Sequence, residues 1–136
     1  VEAASSATSA QVKVVTEFAG ELPRFVVDGH LVRQAVLNLV TNAIQAMPKG
    51  GTVSVRVSAE QKGGASVARI EVRDEGVGIH PATEKHIFQP FFTTKATGTG
   101  LGLAVVKRIV DAHHGEISVK TAVGGGTTFT VTLPSS

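Results

Sequence analysis

The sequence contains no cysteine, no tryptophan and no tyrosine, and it has a single methionine. Without cysteine the chain can form neither a disulfide framework nor a thiolate metal site, and this absence fits a reducing cytoplasm. No apolar run approaches the length needed to cross a bilayer, and no basic segment followed by an apolar one indicates a signal peptide. We therefore expect a cytoplasmic domain that does not span a membrane.

The sequence also has little excess of charge of either sign. Its 13 Lys and Arg residues and 11 Asp and Glu residues leave a formal charge of +2. The cations are scattered, and no Trp or Tyr is available to stack on bases, so nucleic-acid binding has little support. The 136 residues suffice for one globular domain. Residues 1–10 are small and polar, as expected of a frayed end or a linker remnant, and we expect the domain itself at residues 11–136.

Hydrophobic periodicity predicts strands alternating with two long helices. The predicted strands lie at residues 12–18, 24–28, 52–58, 67–74, 116–120 and 127–133. The strands at residues 52–58 and 67–74 are predicted to form a hairpin with a turn at residues 62–64. One helix is predicted over residues 31–47, with Asp28 as its N-cap. A second is predicted over residues 101–114 and is closed by Gly115.

The segment 75–100 is rich in Gly, Thr and Pro, with only a short helical candidate near residues 82–88. An irregular segment of this length in a compact domain is usually functional or mobile, and we interpret it as a lid. Its stretch IFQPFFTTK, residues 87–95, holds half of the six phenylalanines, which can anchor the lid. Lys95 at its end can reach phosphate as a point charge or be solvated.

The first predicted helix contains NLVTNAIQAM, with two asparagines one turn apart. Its polar residues gather on one face: Gln34, Asn38, Thr41, Asn42 and Gln45. Its apolar residues gather opposite: Val32, Val36, Leu39, Val40, Ala43, Ile44 and Met47. The asparagines are thus predicted to lie outside the core. On the helix alone they are a solvated face, whereas the motifs downstream favour a binding role.

In DEGVGI, residues 74–79, Asp74 ends a predicted strand and precedes Gly76 and Gly78, where the backbone can approach a flat ligand closely. A carboxylate can accept a hydrogen bond from an exocyclic amine, which favours adenine over guanine. An Asp before two spaced glycines is also typical of an ordinary turn. The motif alone leaves both interpretations open.

GTGLGLAVV, residues 98–106, opens the second predicted helix with three alternating glycines. Unpaired N–H groups and the positive end of the helix dipole suit phosphate oxygens. The sequence has no GxxxxGK[ST] P-loop, and the G-x-G-x-G spacing after a polar loop does not match the dinucleotide fingerprint. A flexible hinge before the helix is the alternative interpretation.

In this order, the stretches resemble the catalytic, ATP-binding domain of sensor histidine kinases, in the superfamily that includes gyrase, the Hsp90 chaperones and the MutL repair proteins. NLVTNA resembles the N box, DEGVGI the G1 box, IFQPFFTTK the F box, GTGLGL the G2 box and GGGTTFTVTLP the closing strand. The likeness runs from Val12 to Pro134. It implies an α/β (α+β) two-layer sandwich, in which about three helices cover one face of a mixed, largely antiparallel β-sheet.

The resemblance also implies ATP and Mg²⁺ as cofactors, with Asn42 as the metal ligand and Asp74 at the adenine amine. The implied catalytic residues are Asn38, Asn42 and Lys95. The implied nucleotide-binding residues are Asn42, Asp74, Gly76, Gly78, Ile79, Phe88, Thr94, Lys95, Gly98, Thr99, Gly100, Leu101, Gly102, Leu103 and Thr127. Within this set, the loop from Gly98 to Gly102 is expected to wrap the phosphates.

The chemistry of the two asparagines favours a kinase. Mg²⁺ takes oxygen ligands that it shares with substrate phosphates, so the amide oxygen of Asn42 beside a triphosphate is sufficient. In the hydrolytic members of the superfamily, a glutamate that activates water stands at the position matching Asn38, and an amide cannot take that proton. We therefore expect slow hydrolysis and transfer to a nucleophile supplied from elsewhere.

The nucleophile of a histidine kinase is a histidine in a dimeric helical hairpin. The five histidines here lack that context, and we interpret them all as structural or surface residues: His30, His80, His86, His113 and His114. The expected partners are therefore a separate dimerisation and phosphoacceptor domain of the same protein and a downstream response regulator. We expect an isolated domain that is monomeric and does not contact a membrane, although its parent protein can be membrane-anchored.

The leading hypothesis is a two-component sensor kinase whose FFTTK and NAIQAM stretches resemble the nitrogen-regulatory subgroup. A serine kinase of the same fold, such as an anti-sigma factor or a mitochondrial dehydrogenase kinase, differs only in its acceptor. A third hypothesis is a non-catalytic module in which ATP orders the lid for a partner. Asn42, Lys95 and the glycine loop argue against this third hypothesis, because a scaffold has little need of metal and phosphate contacts.

Overall fold

A computed structural model describes residues 12–18, 28–89 and 102–134, which form five strands and three helices. The strands are β1 (Val12–Phe18), β2 (Gly51–Lys62), β3 (Ala65–Asp74), β4 (Glu116–Thr121) and β5 (Thr127–Pro134). The helices are α1 (Gly29–Gln45), α2 (Pro81–Glu84) and α3 (Gly102–Ala112). None of these three helices is both long and apolar enough to cross a bilayer.

The five strands form one sheet in the order β1-β2-β3-β5-β4. β1 runs parallel to β2, and the other neighbouring pairs are antiparallel. β2 and β3 form the predicted hairpin, whose turn places Gly63 and Gly64 at φ +60° and +82°. The parallel pair needs a crossover connection, and α1 lies within it. The expected mixed, largely antiparallel sheet is confirmed.

The hydrophobic core lies between one face of the sheet and the helices α1 and α3. Leu39 of α1 and Val106 of α3 are fully buried, in one cluster with Val53, Val72 and Phe129 of the sheet. Along β5, buried and half-buried residues alternate, because successive side chains of a strand point to opposite faces. Apolar burial of this kind is the dominant favourable term in folding. The two-layer sandwich predicted from the sequence is confirmed.

α1 has the N-cap that the sequence predicted, and it begins at Gly29, two residues before the predicted start at Leu31. Asp28 has an extended backbone, and its Oδ1 accepts hydrogen bonds from the main-chain nitrogens of His30 and Leu31, both at 3.1 Å, as an N-cap does. The helix ends at Gln45, slightly before the predicted end at Met47. Met47 nevertheless remains in the core with 2% of its surface exposed.

α3 ends differently from the prediction. The helix stops at Ala112, and the left-handed residue that follows is His114, with φ +58°. The nitrogen of Gly115 donates to the carbonyl oxygen of Val110 at 2.9 Å, as in a Schellman motif. Gly115, the predicted closing residue, is therefore one position past the left-handed one. Glycine is needed there because a Cβ would overlap the carbonyl oxygen of Thr132.

The short helical candidate near residues 82–88 is α2, which is shorter and begins earlier than predicted. His80 caps it, since its Nδ1 accepts a hydrogen bond of 3.0 Å from the main-chain nitrogen of Ala82. Of the predicted strand at residues 24–28, Asp28 instead caps α1, and the other four residues lie outside the described ranges. The lid is described only as far as residue 89.

Candidate functional site

Asn38 and Asn42 lie on the side of α1 that faces away from its most deeply buried residues. Both are half-buried, whereas their neighbours Leu39 and Ala43 belong to the core. The Nδ2 group of Asn38 donates a hydrogen bond of 3.3 Å to the carbonyl oxygen of Gly102, the first residue of α3. The prediction that the asparagines lie outside the core is confirmed. The polar face of α1 also meets the start of α3, although 64 positions separate the two residues in the chain.

Asp74 ends β3 with only 3% of its surface exposed. Its Oδ1 accepts a hydrogen bond of 2.8 Å from the main-chain nitrogen of Gly76. Its register partner on β5 is Thr127, which is 4% exposed. These two are the buried polar residues of the described part of the chain. A buried carboxylate beside a buried hydroxyl can recognise the donor and acceptor edge of a ligand.

The loop of residues 75–79, which follows Asp74, packs between two other segments of the chain. The main-chain nitrogen of Val77 donates to the carbonyl oxygen of Ala46 at 3.1 Å, next to the end of α1. The carbonyl oxygen of Val77 accepts from the nitrogen of Gly124 at 2.8 Å, in the turn between β4 and β5. The loop is therefore fixed on both sides by main-chain hydrogen bonds.

The two glycines of this loop are required by the packing of the chain on itself. A Cβ on Gly76 would overlap the carbonyl group of Ala46. A Cβ on Gly78, which has φ +76°, would overlap the carbonyl group of Ala122. The sequence predicted these glycines for the close approach of a flat ligand. In the structure the same two positions allow the close approach of two other stretches of backbone, at Ala46 and Ala122.

Thr121, which the sequence alone did not single out, holds the far end of the same loop. Its Oγ1 accepts a hydrogen bond of 2.9 Å from the main-chain nitrogen of Ile79 and lies 2.9 Å from Oγ1 of Thr127. One hydroxyl thus joins two of the predicted site residues. In the sequence it is a threonine directly after the predicted strand of residues 116–120, and nothing local distinguishes it from an ordinary strand residue.

The start of α3 presents main-chain N–H groups that have no partner within the helix. Gly102 is exposed, and a Cβ there would meet nothing within 4 Å. Leu103, the next residue, is half-buried against the core and anchors this end of the helix. Because the helix dipole adds partial positive charge at this end, the arrangement suits a phosphate group.

Phe88 packs edge-to-face against the core residue Phe129, with ring centroids 6.3 Å apart and an interplanar angle of 78°. For Phe88, the prediction that phenylalanines anchor this segment is confirmed. The remaining predicted site residues lie outside the described ranges: Thr94, Lys95, Gly98, Thr99, Gly100 and Leu101. The described part of the site thus consists of one face of α1, the loop after β3, the start of α3 and the start of β5.

The donor set of the described residues fits a metal ion shared with phosphates. Within the described ranges, no three His, Asp or Glu side chains come together in a group that could hold a metal by themselves. Mg²⁺ commonly binds through one or two protein oxygens together with substrate phosphates and water. The amide of Asn42, half-buried on α1, can supply one such oxygen.

The sequence profile of the family described as histidine kinase-, DNA gyrase B-, and HSP90-like ATPase matches residues 27–136. The chain is 42% identical over 130 residues to the signal transduction histidine-protein kinase AtoS of Escherichia coli K12, over 96% of this chain and 21% of AtoS. It is 49% identical over 113 residues to the sensor histidine kinase ZraS of the same strain, over 83% of this chain and 23% of ZraS. The chain thus spans about a fifth of the length of these relatives.

Among solved structures, the chain is similar to the nucleotide-free catalytic domain of histidine kinase ThkA. The TM-score is 0.78 at 31% sequence identity, over 91% of this chain and 79% of that one. The five-stranded sheet and its covering helices are therefore an arrangement also found in a histidine kinase catalytic domain.

Proposed function

Because the chain belongs to the family of histidine kinase-, DNA gyrase B- and HSP90-like ATPases, we propose that it is the ATP-binding catalytic domain of a two-component sensor histidine kinase. The observation that carries the proposal is the hydrogen bond from Asn38 to Gly102. It holds the amide face of α1 against the N-terminus of α3. An oxygen ligand for a metal and a helix end suited to phosphate then face the same space.

Each described site residue has a task in this proposal. Asp74 accepts a hydrogen bond from the exocyclic amine of adenine, which sets the preference for ATP over GTP. The first N–H groups of α3 hold phosphate oxygens, and the amide oxygen of Asn42 is a ligand of Mg²⁺. When bound, Mg²⁺ neutralises charge on the phosphates. Ile79, Phe88 and Leu103, all half-buried, supply apolar surface around the nucleotide.

Asn38 favours transfer over hydrolysis. An amide cannot act as a general base toward water, and this amide donates its N–H to Gly102. The domain therefore holds Mg·ATP with little hydrolysis until a phosphoacceptor histidine arrives from a separate dimerisation domain of the same protein. Thr94, Lys95 and the loop from Gly98 to Leu101 complete the phosphate site, and a response regulator receives the phosphoryl group afterwards.

The proposal places the domain in the cytoplasm as a monomeric unit without contact to a membrane or to nucleic acid. The small net charge of +2 supports the absence of nucleic-acid binding. The domain can belong to a parent protein that is itself membrane-anchored.

The first test is calorimetric titration of the chain with Mg·ATP, compared for the native sequence and Asn42→Ala. We expect saturable binding that weakens by roughly tenfold or more in the variant, and a smaller difference between the two proteins when EDTA removes the metal. Gln34→Ala is the matched control, since Gln34 is an exposed amide two turns earlier on the same helix. Equal affinities for native protein and Asn42→Ala in the presence of Mg²⁺ would contradict the ligand assignment.

The second test is phosphoryl transfer from γ-labelled ATP to a separately produced helical-hairpin domain that carries a phosphoacceptor histidine. We expect label that is lost in acid and kept in alkali, because a phosphoramidate hydrolyses in acid. Label on the acceptor that survives acid would favour a serine kinase of the same fold. ATP binding without transfer to the hairpin domain would favour a nucleotide-sensing module.

A further inference from the structure

Thr121 lies where β4 ends, and its side-chain hydroxyl meets three different groups. Its Oγ1 accepts from the main-chain nitrogen of Ile79 at 2.9 Å, and it lies 2.9 Å from Oγ1 of Thr127 and 3.2 Å from the carbonyl oxygen of Gly126, to either of which it can donate. Thr121 is half-buried, so these contacts are partly shielded from water. One oxygen atom therefore connects the end of the loop of residues 75–79 with the beginning of β5.

The number of hydrogens on this oxygen limits how the contacts can be made. A hydroxyl group carries one hydrogen and two lone pairs, and the N–H of Ile79 uses one lone pair. The single hydrogen of Thr121 points either to Gly126 or to Thr127. In the second case, the hydrogen of Thr127 is released to donate to another group. Thr121 thus decides whether Thr127 acts as a donor or as an acceptor.

Thr127 is the register partner of Asp74, so this choice is made beside the buried carboxylate. The loop of residues 75–79 is held at its start by the hydrogen bond from the nitrogen of Gly76 to Asp74, at 2.8 Å. It is held at its end by the hydrogen bond from the nitrogen of Ile79 to Thr121. Removing the hydroxyl of Thr121 releases one end of the loop and leaves the other in place.

We propose that Thr121 is a positioning residue for the base-binding end of the nucleotide site: it orients the hydroxyl of Thr127 and holds the loop of residues 75–79 against β4. The proposal rests on the function proposed above, which assigns the adenine amine to Asp74, and it adds that Thr127, the register partner of Asp74, belongs to the same end of the site. Thr121 itself does not touch the nucleotide. Its influence therefore falls on the base and not on the phosphates, which lie at α1 and α3.

The test compares Thr121→Val, which keeps the shape and removes the hydroxyl, with Thr121→Ser, which keeps the hydroxyl. Each variant is titrated with Mg·ATP, Mg·GTP and Mg·triphosphate. We expect Thr121→Val to bind Mg·ATP roughly tenfold more weakly, to lose much of its preference over Mg·GTP, and to bind Mg·triphosphate almost as the native protein does. Thr121→Ser should restore the affinity for Mg·ATP to within about threefold of native. If Thr121→Val does not fold, Thr121→Ala is used with the same expectations.

Thr130→Val is the matched control, because Thr130 lies on β5 in register with Glu71 and Ser118, three positions after Thr127 and on the other face of the sheet. It should bind all three ligands as the native protein does. Native affinity for Mg·ATP in Thr121→Val, or an equal loss for Mg·ATP and Mg·triphosphate in a folded variant, would overturn the proposal.

Amide hydrogen exchange of Ile79 in the free protein separates this inference from the proposed function. We expect its N–H to exchange faster in Thr121→Val and at the native rate in Thr121→Ser, since the acceptor is present only in the latter. An unchanged exchange rate in Thr121→Val overturns the positioning role even where ATP binds. Failure of the native protein to bind Mg·ATP, with exchange altered as expected, overturns the proposed function and leaves the hydroxyl contact established.

Discussion

The main-chain nitrogen of Val77 donates a hydrogen bond of 3.1 Å to the carbonyl oxygen of Ala46. Ala46 caps the end of α1, the helix that carries Asn42, and Val77 belongs to the loop that follows Asp74. The proposed metal ligand and the proposed base-reading carboxylate are thereby coupled through backbone. A change that separates this loop from α1 should affect both binding and stability.

Gly76→Ala is the sharpest such change. A Cβ there would overlap the carbonyl oxygen of Ala46 and approach the Ala46 side chain to 2.9 Å, so the loop must move away from the helix. We expect a loss of about 2 kcal/mol in the free energy of unfolding, measured by urea denaturation, together with weaker binding of Mg·ATP. Gly29→Ala is the control, because a Cβ at that exposed position meets nothing within 4 Å. Equal free energies of unfolding for the two variants would show that the loop can move away from α1 without loss of stability.

Gly78 and Gly124 form a matched pair that separates backbone strain from overlap. Their φ angles are +76° and +77°, so alanine is strained at both. Only at Gly78 would the new Cβ overlap another group, the carbonyl of Ala122, whereas at Gly124 it meets nothing within 4 Å. We expect Gly124→Ala to cost about 1 kcal/mol and Gly78→Ala about 3 kcal/mol in urea denaturation. Equal losses would mean that strain alone governs both positions.

Sequence periodicity was sufficient for the elements whose signals are local. α1 could be predicted because its apolar positions recur at helical spacing and Asp28 is a good N-cap. The hairpin of β2 and β3 could be predicted because two alternating runs flank Gly63 and Gly64. Asp74 and Asn38 were predicted as site residues from motifs, which record spacing and residue type.

The contacts that complete the site could not be predicted, because they join residues far apart in the chain. Thr121 meets Ile79 across 42 positions, and Asn38 meets Gly102 across 64. Nothing local in a threonine or a glycine indicates such a partner. The end of α3 was predicted two residues too late for a related reason: glycine is the usual left-handed residue after a helix, and the chain places His114 in that conformation and uses Gly115 for close packing.

His114→Gly is expected to stabilise the protein. His114 has φ +58°, a conformation that costs a residue with a Cβ roughly 1 kcal/mol and costs glycine little. Its position after α3 is the one that glycine favours in a Schellman motif. We expect the free energy of unfolding to rise by about 0.5–1 kcal/mol at an unchanged urea m-value. A decrease in stability would show that the imidazole makes a contact worth more than the strain.

His113 should be needed for the junction between α3 and α1. Its Nε2 accepts a hydrogen bond of 3.0 Å from the main-chain nitrogen of Asp28, so its Nδ1 carries the hydrogen that it shares with the carbonyl oxygen of Ile109 at 2.8 Å. We expect His113→Leu to lose about 1–3 kcal/mol of stability, because the nitrogen of Asp28 loses its acceptor. His30→Leu is the control at an exposed position in the first turn of α1. An equally large loss of stability in His30→Leu would show that the effect comes from added apolar surface and not from the lost acceptor.

Asp74→Asn should change which base the site accepts. The N–H of Gly76 holds Oδ1 of Asp74 at 2.8 Å, so an asparagine would keep its carbonyl oxygen there and present its NH₂ group where the second carboxylate oxygen was. An NH₂ group facing the amine of adenine sets two donors against each other, whereas it can donate to the carbonyl of guanine. We therefore expect affinity for Mg·ATP to fall by roughly 100-fold, and affinity for Mg·GTP to fall less or to rise.

Titration of Asp74→Asn with Mg·triphosphate decides whether this effect belongs to the base. The phosphates are proposed to lie at α3 and Asn42, so a ligand without a base should bind the variant almost as tightly as the native protein. If Mg·ATP and Mg·triphosphate weaken by the same factor, Asp74 does not read the base and acts through the loop it holds at Gly76. Gly76→Ala then provides the comparison, because it disturbs the same loop and leaves the carboxylate in place.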